Sequence, residues 1–206
     1  MRLPNALIMT ADPAKAEPID NRLFVLILQH PQERKAPLAT AATARSLLRR
    51  ADLVVGLSWP NLRRLLGRPV EPHRWGVLYL GSARPAGDRE VVVLDRRGEP
   101  LADPDPILRR LEGVVLLDGS WKEAKTLWWR NPWLLGLHRL VLNPPRPSRY
   151  GRLRREPRRE ALSTLEAIAL LLERVEGRPD AGAPLLTALD RLLREARGAA
   201  PPSVNA

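Results

Sequence analysis

Six short apolar runs punctuate this chain, and stretches of helical spacing fall between most of them. The runs are LFVLILQH (Leu23 to His30), DLVVGLS (Asp52 to Ser58), WGVLYLG (Trp75 to Gly81), EVVVLD (Glu90 to Asp95), GVVLLD (Gly113 to Asp118) and HRLVLN (His138 to Asn143). Several are apolar on both faces, as strands buried inside a parallel sheet must be. Helices are expected at Pro37 to Arg50, Pro60 to Leu66, Asp105 to Leu111, Trp121 to Arg130, Ser163 to Val175 and Pro184 to Arg197. The alternation predicts an α/β domain. With 206 residues, 44% of them hydrophobic, the chain can bury one core.

The fifth run ends abruptly in Asp118-Gly119-Ser120-Trp121. Ligands of open α/β sheets bind beyond the carboxyl ends of the strands, which is where Asp118 falls. Gly119 permits a sharp turn, and Ser120 with Glu123 has the S-x-x-E spacing of a helix cap. Trp121, Ala124 and Trp128 recur at helical spacing, the pattern of side chains facing a core. Capping does not account for Asp118. Two readings stay open for it on spacing alone: a turn aspartate bonded to its own backbone, or a site residue.

A second informative stretch runs from Asn143 to Val175. Arg146, Arg149, Arg152, Arg154, Arg155, Arg158 and Arg159 meet a single acid, Glu156, among prolines and a glycine that disfavour regular helix. Guanidinium groups crowded on a loop suit phosphates, and Tyr150 offers a ring for stacking. Ser163 and Glu166 repeat the capping spacing ahead of an apolar helix. A third stretch, QHPQERKAPLAT, places His30 and Glu33 just past the first run, with His30 either a substrate contact or a partner for a backbone group.

The net charge of +11 points to nucleic acid or another anionic partner. The chain has no cysteine, so disulfides, thiolate nucleophiles and cysteine zinc sites are excluded. No histidine has a partner at metal-ligand spacing, and neither a Walker loop nor a G-x-G-x-x-G fingerprint occurs. No metal is expected. No apolar run approaches membrane-spanning length and no signal-peptide pattern opens the chain, so the expectation is a cytoplasmic protein away from membranes.

HPQE, LLDGSW, SRYGRLRREP and LSTLEA, in that order between Phe24 and Val175, resemble the DTW-domain family, named for an Asp-x-Thr-Trp signature. Ser120 stands here in place of the signature threonine, which keeps the hydroxyl and loses a methyl. Many bacterial members carry a cysteine cluster near the N-terminus that this chain lacks.

The resemblance implies a SPOUT-like sheet flanked by helices with a knotted cofactor pocket. It implies S-adenosylmethionine as donor, and transfer of its 3-amino-3-carboxypropyl group to uridine in tRNA; rRNA is a second candidate partner beside it. The DTW domain would occupy residues 21–198 between tails at 1–20 and 199–206. Leu80, Gly81, Ser82, Asp118, Gly119, Ser120, Trp121, Ser148, Tyr150, Arg152 and Arg154 would surround the donor. His30, Glu33, Arg155, Arg158 and Arg159 would meet the RNA. Asp118 is the expected catalytic residue, either as a base strengthened by burial or as an ionised group that positions the uracil. An RNA methyltransferase of the same fold and a noncatalytic RNA-binding or ribosome-assembly protein are the alternatives.

Overall fold

The computed structural model describes residues 17–35, 38, 40–78, 89–149 and 162–198. The six expected strands are present as β1 (Phe24–Gln29), β2 (Ala51–Val55), β3 (Trp75–Leu78), β4 (Val91–Leu94), β5 (Gly113–Asp118) and β6 (His138–Leu142). So are the six helices: α1 (Thr40–Leu47), α2 (Leu62–Leu66), α3 (Asp105–Arg110), α4 (Trp121–Arg130), α5 (Thr164–Glu176) and α6 (Ala183–Gly198). Most elements are shorter than expected by one or a few residues, while α6 runs one residue further at each end. β5 and α4 occupy the expected ranges without trimming.

The strands form one sheet in the order β2-β1-β5-β3-β6-β4. Five run parallel, and β4 closes the edge antiparallel to β6. Alternate residues of each strand face opposite layers. Val25 and Ile27 of β1 join Val114 and Leu116 of β5 beneath α1, α3, α5 and α6. Leu26, Leu28 and Val115 face the other way, onto Trp75, Val77, Leu62, Leu134 and Leu137. Trp75 is fully buried, and a Cβ on Gly113 would lie 2.5 Å from its ring. Glycine at the start of β5 is therefore what lets the indole lie across the neighbouring strand.

Connections leave β1 and β5 in opposite directions. β1 leads through α1 to the outer strand β2, whereas β5 leads through α4 past β3 to β6. The carboxyl ends of β1 and β5 thus form the switch point where open α/β sheets hold ligands. Leu78, Asp118 and Leu142 end β3, β5 and β6, three neighbours in the sheet. Every segment expected to surround a donor follows one of those three ends.

Trp121 requires a correction. The buried side chains of α4 are Ala124 and Leu127, with Trp128 packed at the edge of the core. Trp121 is only half-buried, and the Lys125 ammonium lies 6.0 Å from its ring. At the first position of the helix the indole is less buried than helical spacing implied.

Candidate active site

Gln29 and Asp118 are register partners at the ends of β1 and β5. Both share the face of Val25, Ile27, Val114 and Leu116, so their side chains meet beneath the first turn of α5. Gln29 Nε2 donates to Asp118 Oδ2 at 2.9 Å, and the Thr164 hydroxyl donates to Asp118 Oδ1. Asp118 is 8% exposed. Its bonds run to two distant parts of the chain, so it is no turn aspartate serving its own backbone. With one donor on each oxygen the carboxylate is held as an acceptor, and about two of its four lone-pair positions remain for a ligand.

Thr164 owes its position to the cap before it. Ser163 Oγ accepts from Glu166 N at 3.1 Å and Glu166 Oε2 accepts from Ser163 N at 2.8 Å, the reciprocal box expected from the spacing. Glu166 is 7% exposed and does more than cap. Ser148 Oγ donates to its Oε2 at 2.8 Å and the Arg149 backbone N–H to its Oε1 at 2.7 Å. One buried carboxylate therefore ties the start of the arginine-rich segment to the helix that contacts Asp118. Ser148, expected near the donor, is brought to this end of the sheet. Arg149 is drawn outward to Asp190 on α6, at 2.5 Å.

On the opposite face of the same strand ends lies a second cluster. Ser120 and Glu123 form the cap of α4, with Glu123 Oε2 accepting from Ser120 N at 2.7 Å. His30 Nδ1 is 3.5 Å from Glu123 Oε1 and 3.3 Å from the Gln32 N–H. It accepts from Gln32 when neutral and donates to Glu123 when protonated. Partial burial raises the Glu123 pKa, but hydrogen bonding with Ser120 and the adjacent imidazole of His30 outweigh it and hold the carboxyl below its ordinary value. A Cβ on Gly119 would come 2.9 Å from Glu123 Cβ and 3.4 Å from His30 Cβ, so the glycine is needed for close approach. The His30 N–H bonds the Asp118 carbonyl at 2.9 Å and stitches the two clusters together.

Seven expected site residues thus gather at one end of the sheet: Asp118, Gly119, Ser120, Trp121, Ser148, His30 and Glu33. Leu80, Gly81, Ser82, Tyr150, Arg152, Arg154, Arg155, Arg158 and Arg159 lie outside the described residues. Gln29 and Thr164 are additions. A polar residue closing an otherwise apolar strand, LILQ beside VLLD, was the signal for Gln29. Thr164 had none beyond its place next to a cap. Among the described residues no group of His, Asp or Glu could hold a metal ion, and no helix is long and apolar enough to cross a membrane.

The family model for the DTW domain matches residues 3–197. The chain is also 31% identical over 178 residues to tRNA-uridine aminocarboxypropyltransferase 2 of Drosophila melanogaster, covering 82% of this chain and 63% of that protein. It therefore spans under two thirds of the relative's length. No solved structure matches.

Proposed function

This chain belongs to the DTW-domain family, and from that premise we propose that it transfers the 3-amino-3-carboxypropyl group of S-adenosylmethionine to N3 of a uridine in tRNA, releasing methylthioadenosine. The name of the fly relative supports the reaction class and the RNA substrate. The observation that carries the proposal is Asp118, buried at the β1/β5 switch point with a donor on each oxygen.

The residues present suit such a donor. A sulfonium is favoured beside a buried carboxylate, which Asp118 supplies. Its amino-acid end needs hydrogen-bond donors and cations, which fits the first turn of α5, with Ser148 held beside it by Glu166; Arg152 and Arg154, which lie outside the described residues, are the cations proposed to pair with it. A SPOUT-like knotted pocket is part of the proposal, supported by the adjacency of β5, β3 and β6, whose carboxyl ends all lead into expected donor segments. When bound there, the donor supplies a sulfonium whose adjoining carbons are all electrophilic, so orientation decides which of them is attacked.

In this setting Asp118 acts first as a fixed acceptor. Gln29 and Thr164 hold its carboxylate in one orientation, and its free lone pairs receive the uracil N3–H as a hydrogen bond. As the nitrogen forms its new bond to carbon, that proton passes to the carboxylate or through it to water. Electrons from the breaking carbon–sulfur bond stay on sulfur as the thioether. Ser120, through its cap with Glu123, fixes the chain just beyond Asp118, and His30 and Glu33 flank the approach of the RNA.

Product analysis is the test. Purified protein incubated with S-adenosylmethionine and tRNA lacking the modification should release methylthioadenosine and add the aminocarboxypropyl mass to one uridine. S-adenosylhomocysteine in its place would mean a methyltransferase, and neither product would mean a noncatalytic RNA-binding protein.

A further inference from the structure

Helix α4 starts at the site and leaves it carrying an outward face that the chemistry does not use. Lys122, Lys125, Trp129 and Arg130 are all exposed, and Trp129 is 78% exposed, an unusual state for a tryptophan. Lys125 Nζ lies over the Trp121 ring, so Trp121, Lys125 and Trp129 follow one another at i, i+4 and i+8. The one acid of the helix, Glu123, is turned inward to Ser120 and His30. Among the described residues no carboxylate pairs with Lys122, Lys125 or Arg130. The face is thus purely cationic with an aromatic ring at its far end, about 12 Å along the helix from Trp121.

We propose that this face of α4 is a docking surface for a single-stranded part of the RNA substrate, in which Lys122 and Lys125 meet phosphates and Trp129 stacks on a base one or two nucleotides from the target uridine. Charge complementarity commits the occupant: three exposed cations on the helix that carries one exposed ring, none of them paired with a carboxylate among the described residues, fit a polyanion bearing flat bases better than a protein partner. Stacking is tolerant of base identity, so the surface would secure the strand beside the target and leave choice of base to the site. The inference rests on the reading of the chain as an enzyme acting on tRNA.

The test measures binding of a tRNA transcript to the full chain across a salt series. Trp129→Ala should weaken affinity by about 5- to 100-fold with little change in salt dependence, Trp129→Phe should restore most of it, and the melting temperature should stay at the wild-type value. Lys122→Ala with Lys125→Ala should reduce the slope of log affinity against log salt by roughly 1.4 to 1.8. Wild-type affinity and slope in both variants would overturn the proposal and assign the ring to a protein contact; so would a wild-type chain that does not bind the transcript. Methylthioadenosine release is followed in parallel. Release with RNA binding insensitive to these substitutions keeps the reaction and removes the surface, while the expected binding pattern without release keeps the surface and removes the reaction.

Discussion

Gln29 and Asp118 face each other across β1 and β5, and the amide of the first donates to the carboxylate of the second at 2.9 Å. The acid in the DGSW corner is therefore a member of a three-residue arrangement completed by Thr164.

Asp118→Asn should lower transfer by about 10²-fold or more while leaving the fold intact. An amide can still accept from Gln29 and donate to the Thr164 oxygen, so packing survives while the anionic acceptor is lost. Thr164→Val should cost about tenfold in turnover, and Thr164→Ser should recover it. Methylthioadenosine release at saturating substrates and a thermal melt check both; wild-type turnover in Asp118→Asn would remove the residue from the chemistry.

Glu166→Gln is expected to destabilise the protein by about 1 to 3 kcal/mol, since one oxygen and one amide cannot accept from Ser148, Ser163 and Arg149 together. Loosening the segment that follows Ser148 should also raise the KM for the donor. Urea unfolding and steady-state kinetics measure the two effects separately.

Acid sensitivity should depend in part on Glu123. Its carboxyl is held below the ordinary value of 4.5, so the folded state binds its proton less tightly than the unfolded state does. Stability from this source is present above pH 4.5 and drains away as pH falls through the folded value. Glutamine still closes a capping box. Glu123→Gln should therefore melt somewhat below the wild type at neutral pH, because the cap is kept but the charge is lost, and the two should converge as pH falls below 4.5, as thermal melts across pH would show.

Trp121→Ala should cost about 1 to 2 kcal/mol, in the range of ordinary point substitutions, rather than the roughly 3 to 5 kcal/mol of a core tryptophan. A loss in the upper range, measured by denaturant unfolding, would mean that the ring is packed more deeply than its half-buried position indicates.

Strands and helices were legible because apolar runs and capping residues are local signals. VVLLD announces a buried strand with a polar end, and S-x-x-E announces both caps, at Ser120 and at Ser163. Strand order was not legible, nor was the antiparallel setting of β4, because four valine- or leucine-rich residues pair as readily in either direction. The same limit hid Gln29 and Thr164, whose roles exist only once β1, β5 and α5 are docked. Trp121 misled for a related reason: helical spacing says which side of a helix a residue occupies and not how deeply the ring is covered once the helix has docked.

The pairing of β1 with β5 also governs when the site can exist. Gln29 and Asp118 are separated by 89 residues of chain, and Asp118 and Thr164 by 46. Contacts that distant must close large loops before they are rewarded, which makes them slower to form than the local turns of a helix. During synthesis the aspartate emerges long before the threonine that holds it, and a chain released before α5 has neither that donor nor the Glu166 tether. Recovery of the proposed activity on refolding should accordingly lag behind recovery of helical signal, so that the one reports site assembly and the other reports helix formation.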